Sequence, residues 1–358
     1  MTEDDILKAL KNVINPDTKK DIVSLNMVAD IKIHGKNIAL TIMVPMTSAP
    51  YKGEINEQCE NVIRELAQDA SVNVNVTFTS KVNSKRSLHE TVLPKVKNII
   101  AVVSGKGGVG KSTVAANLAL ALAKDGVKVG LMDADIYGPS APIMFGLRGD
   151  RPMMAEIEGK GKIVPLEKFG IKVMSIGFLV DERQAVVWRG PMVSSAVRQF
   201  VTDVYWDELD YLIIDMPPGT GDIHLTLMQL VPVTGVIIVT TPQDVALADA
   251  KKGIAMFSQA QLDAPIIGLV ENMAYFTPAE LPENKYYIFG KEGGKRLASE
   301  YDLNFLGQIP LVQSIREGGD KGIPVMLSED SVSKKAFLDF SDEVAKQIYI
   351  QNKSSRSL

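Results

Sequence analysis

Residues 99–118 read Ile99-Ile-Ala-Val-Val103-Ser104-Gly105-Lys106-Gly107-Gly108-Val109-Gly110-Lys111-Ser112-Thr113-Val-Ala-Ala-Asn-Leu118. The apolar, β-branched run Ile99–Val103 predicts a buried strand, and Ser112 to Lys124 predicts a helix leaving it. Between them, Gly105 to Ser112 fits G-x-x-x-x-G-K-[ST], in the strand–loop–helix context that this motif requires. Glycines let the backbone curl with its N–H groups pointing inward, where side chains would block phosphate oxygens. The helix N-terminus adds the positive end of its dipole. Lys111 is placed to bridge the β- and γ-phosphates of a nucleoside triphosphate, and Ser112 to set its hydroxyl on Mg²⁺. Residues Gly105, Lys106, Gly107, Gly108, Val109, Gly110, Lys111, Ser112 and Thr113 together make the predicted cradle.

Around this segment, further strands are predicted at Val127–Met132, Ile171–Ile176, Tyr211–Ile214, Val236–Thr240, Ile266–Val270 and Phe305–Ile309, with helical stretches such as Met192–Val204 between most of them. Strands alternating with crossover helices mean an α/β fold with a doubly wound, mostly parallel sheet. Two strands end in carboxylates, at Asp215 and at Asp133-Ala-Asp135, on the edge where ligands of such sheets bind. Asp215 opens a Gly-rich loop, Asp215-Met-Pro-Pro-Gly-Thr-Gly-Asp222, suited to sensing a γ-phosphate.

Ahead of this lies a small α+β unit over residues 1–80. A helix is predicted from Ile6 to Ile14, strands at Ile22–Leu25, Val28–Ile33 and Ile38–Val44, a helix from Ile55 to Leu66, and a strand from Val72 to Phe78. Residues 81–97, polar and basic, read as a linker, 98–350 as the nucleotide domain and 351–358 as a polar tail. A final helix, Ser333–Tyr349, carries an apolar stripe of Phe337, Phe340, Val344 and Ile348 opposite Asp339, Asp342 and Glu343. An acidic outer face disfavours anionic membranes, so the stripe is expected to pack on its own domain.

The 358 residues carry 39 Lys+Arg against 43 Asp+Glu, a net charge of −4 that gives no global attraction to nucleic acid. The acidic start Thr2-Glu-Asp-Asp5 predicts no secretory signal, and no apolar run reaches the roughly 18–20 residues of a membrane span. The expected setting is the cytoplasm, without nucleic-acid or membrane partners. A single cysteine, Cys59, excludes an intramolecular disulfide and any metal site built from two cysteines of one chain. Its helical spacing with Ile55, Val62 and Ile63 predicts a buried, inert thiol.

The second lysine, Lys106, within Gly-Lys-Gly-Gly-Val-Gly-Lys-Ser-Thr resembles the signature lysine of deviant Walker A ATPases, the MinD/ParA group. Within that group, Asp133-Ala-Asp-Ile-Tyr-Gly-Pro-Ser140, Trp188-Arg-Gly-Pro-Met192, Asp215–Asp222, Thr241-Pro-Gln243 and Glu271-Asn-Met273 are similar to the Mrp/ApbC iron–sulfur carrier ATPases. Residues 1–80 resemble the iron–sulfur-assembly domain (MIP18 type) often fused ahead of them. The resemblance implies a homodimer with ATP between subunits, Lys106 reaching across to the partner's phosphates, and Asp135 orienting the attacking water. It further implies Asp133 and Asp215 beside Mg²⁺, Asn272 at the adenine edge, and delivery of clusters to apoproteins.

The chain departs from that family in one respect. Where the carriers place Cys-x-x-Cys, this chain reads Glu271-Asn-Met-Ala-Tyr-Phe-Thr277-Pro-Ala-Glu280-Leu-Pro, and the assembly domain's Cys-Pro is matched by Ala49-Pro50. An iron–sulfur cluster is therefore implied by resemblance alone, with its cysteine ligands absent. Two functions stand on the sequence: an ATP-hydrolysing iron–sulfur carrier, and a cluster-free nucleotide switch that docks a partner protein.

Overall fold

The computed structural model describes residues 2–15, 20–25, 27–34, 36–43, 52–67, 72–79, 92–179, 190–259, 262, 264–278, 280–281, 283–329 and 331–354. The chain forms two compact units, Met1–Lys81 and Val82–Leu358.

The first unit runs α1 (Glu3–Leu10), β1 (Val28–His34), β2 (Asn37–Met43), α2 (Lys52–Ala67) and β3 (Asn73–Thr79). Strand β2 is central, antiparallel to β1 and parallel to β3. Helix α1 starts at a reciprocal cap, where Asp5 N donates to Thr2 Oγ1 and Thr2 N to Asp5 Oδ2. It ends at Leu10 rather than Ile14, because the chain tightens into i−3 hydrogen bonds at Asn12 and Val13 and Ile14 then pairs with Asp21. The strand expected at Ile22–Leu25 is a turn instead. Asp21 Oδ1 accepts Ser24 N at 2.6 Å, a side-chain bond that competes with strand pairing. Ile6, Leu10, Ile38, Leu40, Ile42, Ile55, Cys59 and Ile63 fill the core.

The second unit is a three-layer α/β structure. Its strands are β4 (Val96–Val103), β5 (Val129–Asp133), β6 (Met153–Ile157), β7 (Lys160–Val164), β8 (Leu166–Lys168), β9 (Ile171–Ser175), β10 (Leu209–Asp215), β11 (Gly235–Thr240), β12 (Ile266–Glu271) and β13 (Phe305–Gln308). The helices are α3 (Lys111–Leu122), α4 (Ala141–Met144), α5 (Gly190–Thr202), α6 (Asp222–Leu230), α7 (Asp244–Phe257), α8 (Gly293–Glu300), α9 (Gln313–Lys321) and α10 (Ser331–Ser354). Eight strands form one sheet in the order β13-β12-β11-β4-β10-β5-β9-β8, parallel except for β8. Strand β4 is hydrogen-bonded to β10 and β11, not to β5, which follows it in sequence. The chain thus reverses direction across the sheet at β4, and a crevice opens at its carboxyl end. Val96–Val103 lies almost wholly inside, as does α3 beyond its first turn.

Two boundaries shift from the sequence-based expectation, and one hairpin is added to it. Strand β4 begins at Val96, inside the stretch read as linker, because Leu93 and Val96 are buried while Lys95 pairs with Glu158 and Lys97 with Asp210. Helix α10 continues to Ser354 through the stretch read as tail, with Asn352 Nδ2 donating to Asn98 Oδ1 at 2.8 Å. The β6–β7 hairpin is not legible in the pattern. Its turn is Glu158-Gly159, both at positive φ, and its strands are mostly solvent-facing, so neither Asn-Gly chemistry nor alternation marks it. The stripe of Phe337, Phe340, Val344 and Ile348 is fully inside the core. No helix among the described residues is long and apolar enough to cross a membrane.

Candidate functional site

The loop 104–110 joins β4 to α3 under close backbone constraint. Ser104 Oγ donates to Lys106 O at 2.9 Å, closing the loop on itself. A Cβ at Gly105 would collide with the α7 backbone at Asp249 and Ala250, so no larger residue fits there. Gly110 sits at φ +79° and caps α3, with the Asn272 amide packed where a Cβ would project. At Gly107 and Gly108 a Cβ would meet nothing within 4 Å, so the loop's outer wall faces open space. That room, lined by backbone and a helix N-terminus, fits a polyphosphate.

Lys111 is buried, and its Nζ donates to Asp215 Oδ1 at 2.5 Å and lies 3.5 Å from Asp135 Oδ2 and 3.3 Å from Ser112 Oγ. Strand register explains the gathering. Asp215 of β10 stands level with Asp133 of β5 and with Val102 of β4, so both carboxylates emerge at one sheet edge beside the loop. Burial alone would lower the Lys111 ammonium, but the Asp215, Asp135 and Asp133 carboxylates outweigh it and raise it. Burial raises Asp215 against the pull of Lys111, and burial followed by the Asp215 charge raises Asp133. Three buried carboxyl groups share one ammonium, and Asp135 Oδ1 is buried without a hydrogen-bond partner. An acidic excess out of water, with an orphaned oxygen beside a phosphate cradle, fits a divalent cation such as Mg²⁺.

Two of the expected residues also make structural contacts. Asp133 has both oxygens engaged: Oδ1 accepts Asp135 N at 3.2 Å, and Oδ2 accepts Ala141 N at 3.0 Å and Ser175 Oγ at 2.9 Å. It braces the 135–141 turn and β9. The resemblance puts Asn272 at the adenine edge. Its Nδ2 donates to Val109 O at 2.8 Å, from the end of β12 into the loop, so its amide supports the cradle. Lys106 is half-buried on the loop, and no ion pair ties it to a carboxylate among the described residues. Thr113 follows Ser112 in the first turn of α3, and its carbonyl accepts Asn117 Nδ2.

Several further residues bear on the site. Ser104 and Ser175 act as braces, visible only once strand neighbours are known. Glu271 is fully buried, accepting Gly294 N and Gln308 Nε2, and so ties the end of β12, just before Asn272, to α8 and β13. His224, 1% exposed, spans the Gly-rich loop with Nε2 3.0 Å from Pro217 O and Nδ1 3.3 Å from Gly221 O. The same loop is tied to β4 through Met216 N on Val102 O, and to the cradle through Gly219 N on Ser104 O at 2.9 Å.

Burial pushes His224 below its ordinary value. Because the folded value lies below the unfolded one, its stabilising contribution is complete above about pH 6.5 and is lost as pH falls toward the folded value. Denaturation at pH 7.5 and 5.5 should show wild type losing more stability between the two than His224→Gln. At pH 7.5, His224→Ala should lower kcat about 3–10-fold with KM nearly unchanged, and His224→Gln, which keeps a donor for Pro217 O, should restore most of it. Equal losses in both variants would show that the ring does no more than fill space.

Trp188, Arg189 and Ala49-Pro50 lie outside the described residues. Over residues 95–345 the chain matches the ParA family described as NUBPL iron-transfer P-loop NTPase, and over 3–76 the family described as iron–sulfur cluster assembly protein. It is 45% identical over 350 residues to the iron–sulfur cluster carrier protein of Synechocystis sp., covering 97% of this chain and 98% of that one. The carrier protein of Escherichia coli is 41% identical over 347 residues, 96% of this chain and 91% of its own. Among solved structures, a nucleotide-binding protein of Archaeoglobus fulgidus in complex with ADP aligns at TM-score 0.58 and 40% identity, over 69% of this chain and 93% of that one. The cell-division ATPase MinD of Pyrococcus furiosus aligns at TM-score 0.51 and 25% identity, over 70% and 98%. The chain belongs to the ParA-type iron-transfer P-loop NTPases, with an iron–sulfur cluster assembly domain ahead of the NTPase unit.

Proposed function

We propose that this protein is a cytoplasmic ATPase that couples ATP binding and hydrolysis to delivery of iron–sulfur clusters to apoproteins, working as a homodimer. The observation that carries the reading is the Lys111–Asp215–Asp135 cluster at the mouth of the phosphate cradle. Backbone N–H groups of 105–112 cradle the phosphates, and Lys111 exchanges its bond to Asp215 for the β- and γ-phosphate oxygens. Asp215 and Ser112 would then hold Mg²⁺, which would supply charge neutralisation along the phosphates. Asp135, with its unpartnered Oδ1, orients the attacking water. Asp133 keeps the Asp135 backbone in place, and Asn272 keeps Val109 in place.

Lys106, which pairs with no carboxylate among the described residues, is proposed to reach the other subunit's phosphates, stabilising transition-state charge. The cluster is cargo, and the homologous carriers' names, together with the assembly domain at 3–76, support that assignment. The test is ATP-dependent activation of an apo-enzyme that requires a [4Fe–4S] cluster, supplied with a cysteine-bearing donor protein loaded with that cluster and with this protein. Activation should need Mg-ATP and fall to background with Lys111→Ala. Equal activation without ATP would sink the coupling.

A further inference from the structure

The carrier reading meets a chemical difficulty in this chain. Iron–sulfur clusters are held by cysteine thiolates, with imidazole an occasional substitute. The chain contains one cysteine and three histidines. Cys59 is fully buried in the core of the first unit between Ile55 and Ile63, and burial pushes its thiol up to about 12. At neutral pH about one thiol in 10⁵ is then a thiolate, and reaching an iron atom would require opening the core. Of the histidines, His224 is enclosed with both ring nitrogens against loop carbonyls. Among the described residues no His or Cys side chain joins two others in a metal-binding group, and the Asp215–Asp135 pair at the phosphate site offers only carboxylate oxygens.

The segment after Asn272, where the carriers place Cys-x-x-Cys, is held by backbone and ring contacts. Phe276 and Tyr286 exchange backbone hydrogen bonds at 2.8 and 2.9 Å, and their rings lie 6.4 Å apart. Leu311 N donates to Tyr275 O, closing the segment on β13's exit. Thr277 is buried, and Leu281, Tyr286 and Ile288 are exposed. None of these side chains is a ligand for iron in a cluster.

Taking the carrier reading as its basis, we infer that this chain contributes no thiolate to the cluster it handles, and that every cluster thiolate comes from a cysteine-bearing protein docked on it. Transfer between two such proteins is then ligand exchange. Each Fe–S(Cys) bond to the donor breaks as one to the acceptor forms, and the acceptor thiol's proton passes to the freed donor thiolate. No oxidant or reductant is needed. The ATPase cycle governs docking and release, not the cluster bonds.

Two measurements on the full-length protein test this. The protein is incubated anaerobically with ferrous iron, sulfide and dithiothreitol, then gel-filtered into thiol-free buffer. We expect less than about 0.2 iron per chain for wild type and for Cys59→Ala, with ATP hydrolysis retained in the same samples. Retention of about two iron atoms per chain or more, with a thiolate-to-iron band near 400 nm, would overturn the inference. In the second measurement the protein is presented with a synthetic [4Fe–4S] cluster carrying four 2-mercaptoethanol thiolates, and released thiol is titrated. No release above the protein-free control is expected, and release of one thiol or more per cluster, the mark of ligand exchange onto this chain, would overturn it. Absence of ATP hydrolysis in the untreated protein would instead defeat the ATPase reading, whatever the iron count.

Discussion

Lys111→Ala should abolish measurable nucleotide binding. The expected loss is at least ~100-fold in ATP affinity, about 2.7 kcal/mol at 1.4 kcal/mol per decade. The side chain sits in the cradle with Nζ 2.5 Å from Asp215, so its removal takes away both the phosphate partner and the charge that offsets three buried acids. Breaking a buried pair on one side costs about 3–5 kcal/mol when the remaining charge stays ionised. Burial already raises Asp133 and Asp215, so in the variant they take up protons more readily, which relieves part of that cost. Thermal unfolding separates the two effects. Wild type should gain about 2.7 kcal/mol at a Mg-ATP concentration a hundred times Kd, whereas the variant should gain nothing from its own lower baseline. Normal ATP affinity in a folded Lys111→Ala protein would overturn the phosphate assignment.

Lys106→Ala and Asp135→Ala should each bind ATP but hydrolyse it about 10²–10³-fold more slowly, since both act on the transition state rather than the ground state. Mixing the two inactive proteins distinguishes a trans lysine from a cis one. In a mixed dimer, the subunit bearing Lys106→Ala retains Asp135 and receives an intact Lys106 from its partner, giving one working site. Random exchange between equal amounts should therefore restore about one quarter of wild-type turnover in a two-fold dimer. If Lys106 serves its own nucleotide, every site in the mixture lacks one group and no activity returns. The half-buried position of Lys106, with no ion pair among the described residues, is what makes a trans role available to it.

Sequence and structure divide the explanation of these charged groups. Lys111 is identifiable from spacing alone, because strand, glycines, lysine and hydroxyl must occur in that order for a loop to wrap a phosphate. Asp133 and Asp135 are two residues apart with the same chemistry, and nothing local distinguishes them. Their roles separate only when β9 places Ser175 Oγ on Asp133 Oδ2 and the turn places Ala141 N there too, leaving the unpartnered oxygen on Asp135. Asn272 follows the same rule. A strand-end amide can read a base or hold a backbone, and in this structure the approach of β12 to Val109 gives it a backbone partner.

In the first unit, Val28–Ile33 reads as a strand because apolar residues there alternate toward a core. Ile22–Leu25 carries similar apolar content yet folds as a turn, since Asp21 offers Ser24 a local hydrogen bond that pairing cannot match. The i+4 spacing of Cys59 with Ile55 and Ile63 already puts it on the buried helix face where the structure has it. The sequence by itself determined the parallel α/β architecture, the phosphate cradle and the scarcity of cluster ligands, all of which follow from periodicity, motif order and residue count. Only the tertiary structure decided which carboxylate braces and which is left open, where Asn272 points, and that His224 clamps the loop after Asp215. Those outcomes depend on contacts between residues far apart in the chain, and local patterns carry no information about which distant group will arrive to satisfy a buried atom.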